Sequence, residues 1–196
     1  MEFLSNEELY FSFYLNELQD NGYINSWSKG VSYPLGDALI HSYTEKNKLK
    51  EQTIIQASAY TPDFQINWNE KAEGLFYTKL KGNKKINTKL IIAQEVGFSL
   101  IETKGNYDFK QMNTLATVNG KWLYAKYRIV VNLIKVPDIF KKTFTPRRYM
   151  LTDSGRQERV IHFPVISLEE FVSDKLDKSI EKEEVIFNDK KDIKLY

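Results

Sequence analysis

From residue 52 to residue 136 the chain reads as strand, hairpin, strand, helix, strand, an order that few architectures accommodate. Gln52 to Trp68 is rich in β-branched and aromatic residues and predicts a long strand bent at Pro62, since a sheet tolerates proline only at an edge or a bulge. Leu75 to Leu80 and Ile86 to Ala93 flank Gly82-Asn83 and predict a hairpin. Phe98 to Lys104 predicts a strand stopped by Gly105-Asn106. A helical stretch begins near Phe109, and Arg128 to Val136 supplies a further apolar strand. Ahead of this block, Leu9, Phe11, Tyr14, Leu15 and Leu18 recur at steps of about three and four. They predict an amphipathic helix capped by Ser5 and ended by Asn21-Gly22. Residues 25 to 50, interrupted by Pro34 and Gly36, predict a short strand followed by irregular structure. Beyond the block, a hairpin is expected around Asp153-Ser154-Gly155, a strand from Arg159 to Phe163, and a helix opened by Ser167 with Glu170 at capping-box spacing.

A chain of 196 residues fits one domain with an appended piece. The expected division is a core over 1–136 with an inserted hairpin at 69–95, a C-terminal extension over 137–177 packed on that core, and a charge-dense tail over 178–196. Lysine and arginine number 28 against 26 acidic residues, so the net charge of +2 supplies no global attraction to nucleic acid. The absence of cysteine removes disulfides, thiolate metal sites and a cysteine nucleophile together. His41 and His162 are too few and too isolated for zinc, which leaves carboxylate oxygens as metal donors, the preference of magnesium and manganese. Neither a signal peptide nor a membrane-length apolar run is visible, and a cytoplasmic protein without membrane contact is expected.

Two strings carry candidate chemistry: Tyr60-Thr61-Pro62-Asp63-Phe64 and Leu100-Ile101-Glu102-Thr103-Lys104-Gly105. Residues two apart in a strand share a face, so Glu102 and Lys104 point together while Ile101 and Thr103 point the other way. With Asp63 on a neighbouring strand the two carboxylates converge. At ~4 Å and an effective dielectric near 20 their repulsion is ~4 kcal/mol, and a divalent cation relieves it most directly. Such an ion makes coordinated water acidic and neutralises charge on phosphate. The Thr103 carbonyl is a further candidate metal ligand, and Lys104 is placed to orient water or stabilise the reacting phosphate.

These strings, with the leading helix ending near Gly22, resemble the PD-(D/E)XK nucleases and within them the phage endonuclease I-type Holliday-junction resolvases. The resemblance spans roughly residues 5 to 135 as ordered elements but only about ten positions as motif. It implies an α/β fold with a restriction-endonuclease-like αβββαβ core, here carrying an inserted basic hairpin and a C-terminal α+β extension. It also implies an Mg²⁺- or Mn²⁺-dependent endodeoxyribonuclease acting on branched or double-stranded DNA in the cytoplasm, of a host cell if phage-encoded, and a homodimer, although no dimer seam is legible. Many relatives place another acid on the first helix. Glu8 is the candidate because it shares a stripe with Phe11, Leu15 and Leu18, yet Ser5 and Glu8 also have capping-box spacing. Relatives often carry a lysine or glutamine on the helix after the second motif, where Lys110 and Gln111 stand. Asp63 and Glu102 lie 39 positions apart, further than in the phage resolvases, so substrate preference does not transfer.

Lys79, Lys81, Lys84, Lys85 and Lys89 cluster at the tip of the expected inserted hairpin and suit phosphate contacts or, equally, a solubilised sheet edge. Arg147, Arg148, Arg156 and Arg159 stand around the later hairpin as a second candidate phosphate surface. Two other classes remain open from the residues alone: a nuclease-like module that binds DNA or protein without cutting, and a phage structural or assembly protein with accidental motifs.

Overall fold

The computed structural model describes residue 3 and residues 5–80, 86–104 and 111–177, without the side chains of 111–113. The first helix, α1 (Asn6–Asp20), begins where Ser5 Oγ accepts the Glu8 amide at 3.2 Å. It ends at Asn21 and Gly22. Gly22 takes φ +70°, and the amides of Gly22 and Tyr23 close back on the carbonyls of Gln19 and Leu18 at 2.8 Å. Its apolar stripe, Phe11, Tyr14, Leu15 and Leu18, is fully buried.

That stripe packs on a mixed four-stranded sheet of β1 (Ile24–Lys29), β6 (Phe64–Trp68), β9 (Phe98–Lys104) and β10 (Val131–Lys135), in that spatial order. The central β6 runs antiparallel to both β1 and β9, and β10 runs parallel to β9. A parallel return needs a crossover, and α2 (Gln111–Tyr127) provides it. Alternation on β9 divides the interior. Ile101 faces α1 with Phe64 and Ile66, while Leu100 packs with Tyr60 and Leu123 on the α2 side. The frame in chain order is therefore helix, three antiparallel strands, helix, strand. Beyond it, α3 (Val136–Lys142) and a helix over 168–177 bring Phe140, Phe144, Leu168 and Phe171 into the α1-side core. Tyr14 stacks on Phe144 at a centroid distance of 4.6 Å. The helix over 168–177 opens with the reciprocal Ser167–Glu170 capping box that the spacing predicts.

Four expectations are corrected. Gln52 to Trp68 is three strands in three different sheets: β4 (Lys48–Ile55), β5 (Ser58–Tyr60) and β6. The break between β5 and β6 follows from Pro62, which has no N–H for a ladder and whose carbonyl abuts Gly30. Residues 25 to 50 are mostly strand rather than irregular. After β1 come β2 (Tyr33–Gly36), paired antiparallel with β5, and β3 (Leu39–Glu45), which forms an isolated hairpin with β4. Segment 69–95 is not a hairpin either, because β7 (Tyr77–Lys79) and β8 (Ile91–Ala93) run parallel. The Asn132 side chain on β10 fastens β8, accepting from the Ile92 amide at 2.8 Å and donating to its carbonyl at 2.9 Å. Residues 159–163 form no strand. Arg159 is instead held over the Tyr10 and Tyr149 rings and paired with Asp153. Among the described residues no helix is long and apolar enough to cross a membrane.

Candidate active site

The register of β6 against β9 sets Phe64 opposite Ile101, so the residue just before β6, Asp63, falls opposite Glu102. Pro62 and Asp63 are held there by β1. The Gly30 amide donates to the Asp63 carbonyl at 3.0 Å, and Gly30 lies so close that an added Cβ would stand 1.6 Å from the Pro62 carbonyl oxygen. Only glycine fits that approach. The Asp63 carboxylate turns to the end of β9, where Oδ2 accepts from the Thr103 amide at 2.7 Å and from Thr103 Oγ1 at 2.6 Å.

Glu102 is nearly buried, and its two oxygens have separate partners. Oε1 receives Lys104 Nζ at 2.5 Å, and Oε2 accepts from the Tyr60 hydroxyl at 2.9 Å. The contact with Lys104 is the shared strand face made physical, since the two residues are two apart on β9. Burial, then the charges of Glu102 and Asp63, push the Tyr60 hydroxyl far above the usual phenol range, so it stays protonated and donates.

Glu8 sits in the first turn of α1, on the other side of the sheet end. Its carboxylate is buried and ion-paired with Lys29, the last residue of β1, whose ammonium also lies over the rings of Phe3 and Phe64 at 4.7 and 5.4 Å. Asp63 senses both neighbouring acids. Burial is the largest influence raising its pKa above the ordinary carboxylate value, and the charges of Glu102 and Glu8 raise it further against the lowering effect of the Thr103 hydrogen bonds. Negative charge at Asp63 is therefore incompletely offset by protein groups.

Asp63, Glu102, Thr103 and Lys104 thus come together at one end of β6 and β9, with Glu8 reaching Asp63 electrostatically from α1. Among the described residues no group of three or more acidic or histidine side chains is arranged to hold an ion, so Glu8 does not complete a preformed cage with Asp63 and Glu102. Two carboxylates and a backbone carbonyl nevertheless match how magnesium is commonly held, with water and substrate phosphate filling the remaining positions. Tyr60 and Lys29 were not singled out by sequence reasoning. Tyr60 lay within the first string, but its contact with Glu102 depends on β5 crossing beside β9.

The basic residues separate from this site. Lys79 is held by Glu73 at 3.5 Å and Glu70 at 3.8 Å, and is mostly covered. Lys89 lines a cleft with Lys135, Asp138 and Lys142 beside α3. Lys81, Lys84, Lys85 and Lys110 lie outside the described residues, and Gln111 opens α2 with its side chain undescribed. Arg147 pairs with Glu169, and Arg148 donates to the carbonyls of Thr152 and Asp153. Arg148 and Arg159 therefore spend their donors on the protein's own groups, whereas Arg147, in its pair with Glu169, stays two-thirds exposed. Comparison with family models, curated proteins and solved structures finds no match to this chain.

Proposed function

We propose that this site hydrolyses phosphodiester bonds in DNA with a bound Mg²⁺ or Mn²⁺, on a restriction-endonuclease-like core of the PD-(D/E)XK type. The observation that carries the reading is the pairing of Asp63 with Glu102 across β6 and β9, with Lys104 on Glu102. The helix, three strands, helix, strand order around them supports the same assignment. Asp63, Glu102 and the Thr103 carbonyl would hold the ion, and Glu8 would contribute negative charge from α1. When bound, the ion supplies a more acidic water and charge neutralisation at phosphate.

The chain's own groups have separable tasks. Thr103 orients Asp63 through two short hydrogen bonds, and Tyr60 fixes Glu102 by a donor that remains protonated across the working pH range. Lys104 holds an ammonium at the strand end, where it donates to the attacking water or to the phosphate oxygen gaining charge. In the reaction one O–P bond forms from water as the ester P–O bond breaks, and the departing oxygen takes up a proton. Lys29 is a positioning residue for Glu8.

The test is cleavage of supercoiled and branched DNA by the full chain with Mg²⁺ or Mn²⁺, alongside Asp63→Asn and Glu102→Gln. Both variants should keep the native circular dichroism spectrum and lose cleavage. Cleavage that persists undiminished in either variant places the chemistry elsewhere.

A further inference from the structure

Hairpin β3/β4 has no place in the frame described above. It is a two-stranded sheet of its own, and every residue of both strands is exposed. A two-stranded ribbon in water is marginal by itself, so one that projects in this way invites a reason. Its base is firmly held. Strands β2 and β5 pair directly beneath it, with Tyr33 opposite Tyr60, and α2 braces them through the Tyr127 hydroxyl, which donates to the Pro34 carbonyl at 2.7 Å. Tyr60 at this base is the residue that donates to Glu102. The arm is therefore rooted at the candidate active site.

Its lysines gather at the distal end, where Glu45 lies opposite Lys48, and where Leu49 and Glu51 also stand. At the distal end Lys46 and Asn47 form the turn, with φ of 52° and 59°, and Lys48 and Lys50 follow. Lys50 is paired with Glu45, whereas among the described residues no carboxylate lies within ion-pair distance of Lys46 or Lys48. The proximal end is exposed and apolar: Leu39, Ile40, Ile54 and Ile55 are each about half exposed or more. Seven residues of β3 extend about 24 Å at ~3.4 Å each. That is roughly two-thirds of a helical turn of duplex DNA, whose major groove, about 12 Å wide, admits a two-stranded ribbon.

We infer that β3/β4 is a DNA-binding arm that lies along a duplex groove from its root beside the catalytic carboxylates, with Lys46 and Lys48 meeting phosphates at its tip. The inference rests on the nuclease reading for its substrate class and adds the duplex and the residues that engage it. The apolar root then faces base edges and sugars, surfaces on which aliphatic side chains are at home. The arm accounts for an exposed, lysine-tipped apolar ribbon that the hydrolytic site itself does not require.

The experiment measures binding of the full chain to a fluorescein-labelled duplex about three helical turns long, without divalent metal, between 50 and 200 mM salt. The variant is Lys46→Gly with Lys48→Ala, since glycine suits the positive φ of the turn. Losing two phosphate contacts lowers the salt slope by about 1.8, so wild-type affinity should fall about twelvefold more than the variant's over that range. Unchanged slope and affinity overturn the arm. So does a shift in sedimentation mass between wild type and variant, which would make the arm a contact between copies. Asp63→Asn separates the two readings: with both correct it binds with the full slope and does not cut. A wild-type protein that binds with the full slope but never cuts refutes only the hydrolytic reading. One that cuts while the lysine variant keeps the full slope refutes only the arm.

Discussion

Gly30→Ala is the most discriminating substitution in this structure. A Cβ at residue 30 would meet the Pro62 carbonyl oxygen at 1.6 Å and its carbon at 2.6 Å, both backbone atoms that cannot rotate aside. Restoring an ordinary contact requires about 1.4–1.8 Å of separation between β1 and the Pro62–Asp63 segment, well past what a close-packed interior absorbs without strain. The Gly30–Asp63 hydrogen bond at 3.0 Å is the first to be lost. Overpacking of this kind costs about 1–3 kcal/mol. At 2 kcal/mol the midpoint of thermal unfolding falls by about 4–8 °C for a chain of this size. The functional effect should exceed the structural one, because a reacting group misplaced by about 1 Å loses around a hundredfold in rate. Differential scanning calorimetry and metal-dependent plasmid nicking, on the same preparation and below the midpoint, separate the two. Gly36→Ala is the control: its Cβ would meet only the Ser58 Oγ, a side-chain atom able to yield, at 3.1 Å, and should be near neutral. A Gly30→Ala protein with wild-type midpoint and rate would refute the claim that this contact sets Asp63.

Asp63→Asn should stabilise the fold at neutral pH while abolishing cleavage. The folded pKa of Asp63 is raised, so its favourable contribution is complete only below the ordinary carboxylate pKa and is lost as pH rises through the folded value. The urea midpoint advantage of the variant should thus be present at neutral pH and fade on acidification through that window; an advantage that is absent at neutral pH would contradict the sign. Tyr60→Phe removes the 2.9 Å hydrogen bond to a nearly buried carboxylate and should cost about 1.5–3 kcal/mol in denaturant unfolding. Phe11→Ala opens a hole between α1, Tyr14 and Phe64 and should cost about 3–5 kcal/mol, with Glu8 losing its fixed position above the sheet end.

The elements legible in the sequence are those whose periodicity and punctuation agree. α1 shows a helical stripe, a serine cap and a terminal Asn-Gly, and β9 shows an apolar run followed in the sequence by glycine. The site strings were legible for the same reason, because strand alternation alone puts Glu102 and Lys104 on one face. The β3/β4 arm was not. Its turn is Lys46-Asn47 rather than a glycine-bearing pair, and positive φ at lysine is a conformation that local sequence does not advertise. The β7/β8 pair was misjudged because two short apolar runs around a glycine turn look alike whether they pair antiparallel or parallel. Their direction is decided by docking against β9 and by Asn132.

By itself, then, the sequence determined the chemical inventory: hard oxygen donors without thiolates, a lysine sharing a face with a glutamate, and a proline-aspartate step ahead of a strand. Tertiary structure decided which of these groups meet. Strand register set Asp63 opposite Glu102, and the absence of a Cβ at Gly30 let β1 clamp the Pro62–Asp63 step. The crossing of β5 brought Tyr60 to Glu102, and the approach of β1 to α1 turned Glu8 toward Lys29. Those pairings span tens of residues along the chain and depend on which surfaces pack, a long-range outcome that local patterns do not encode.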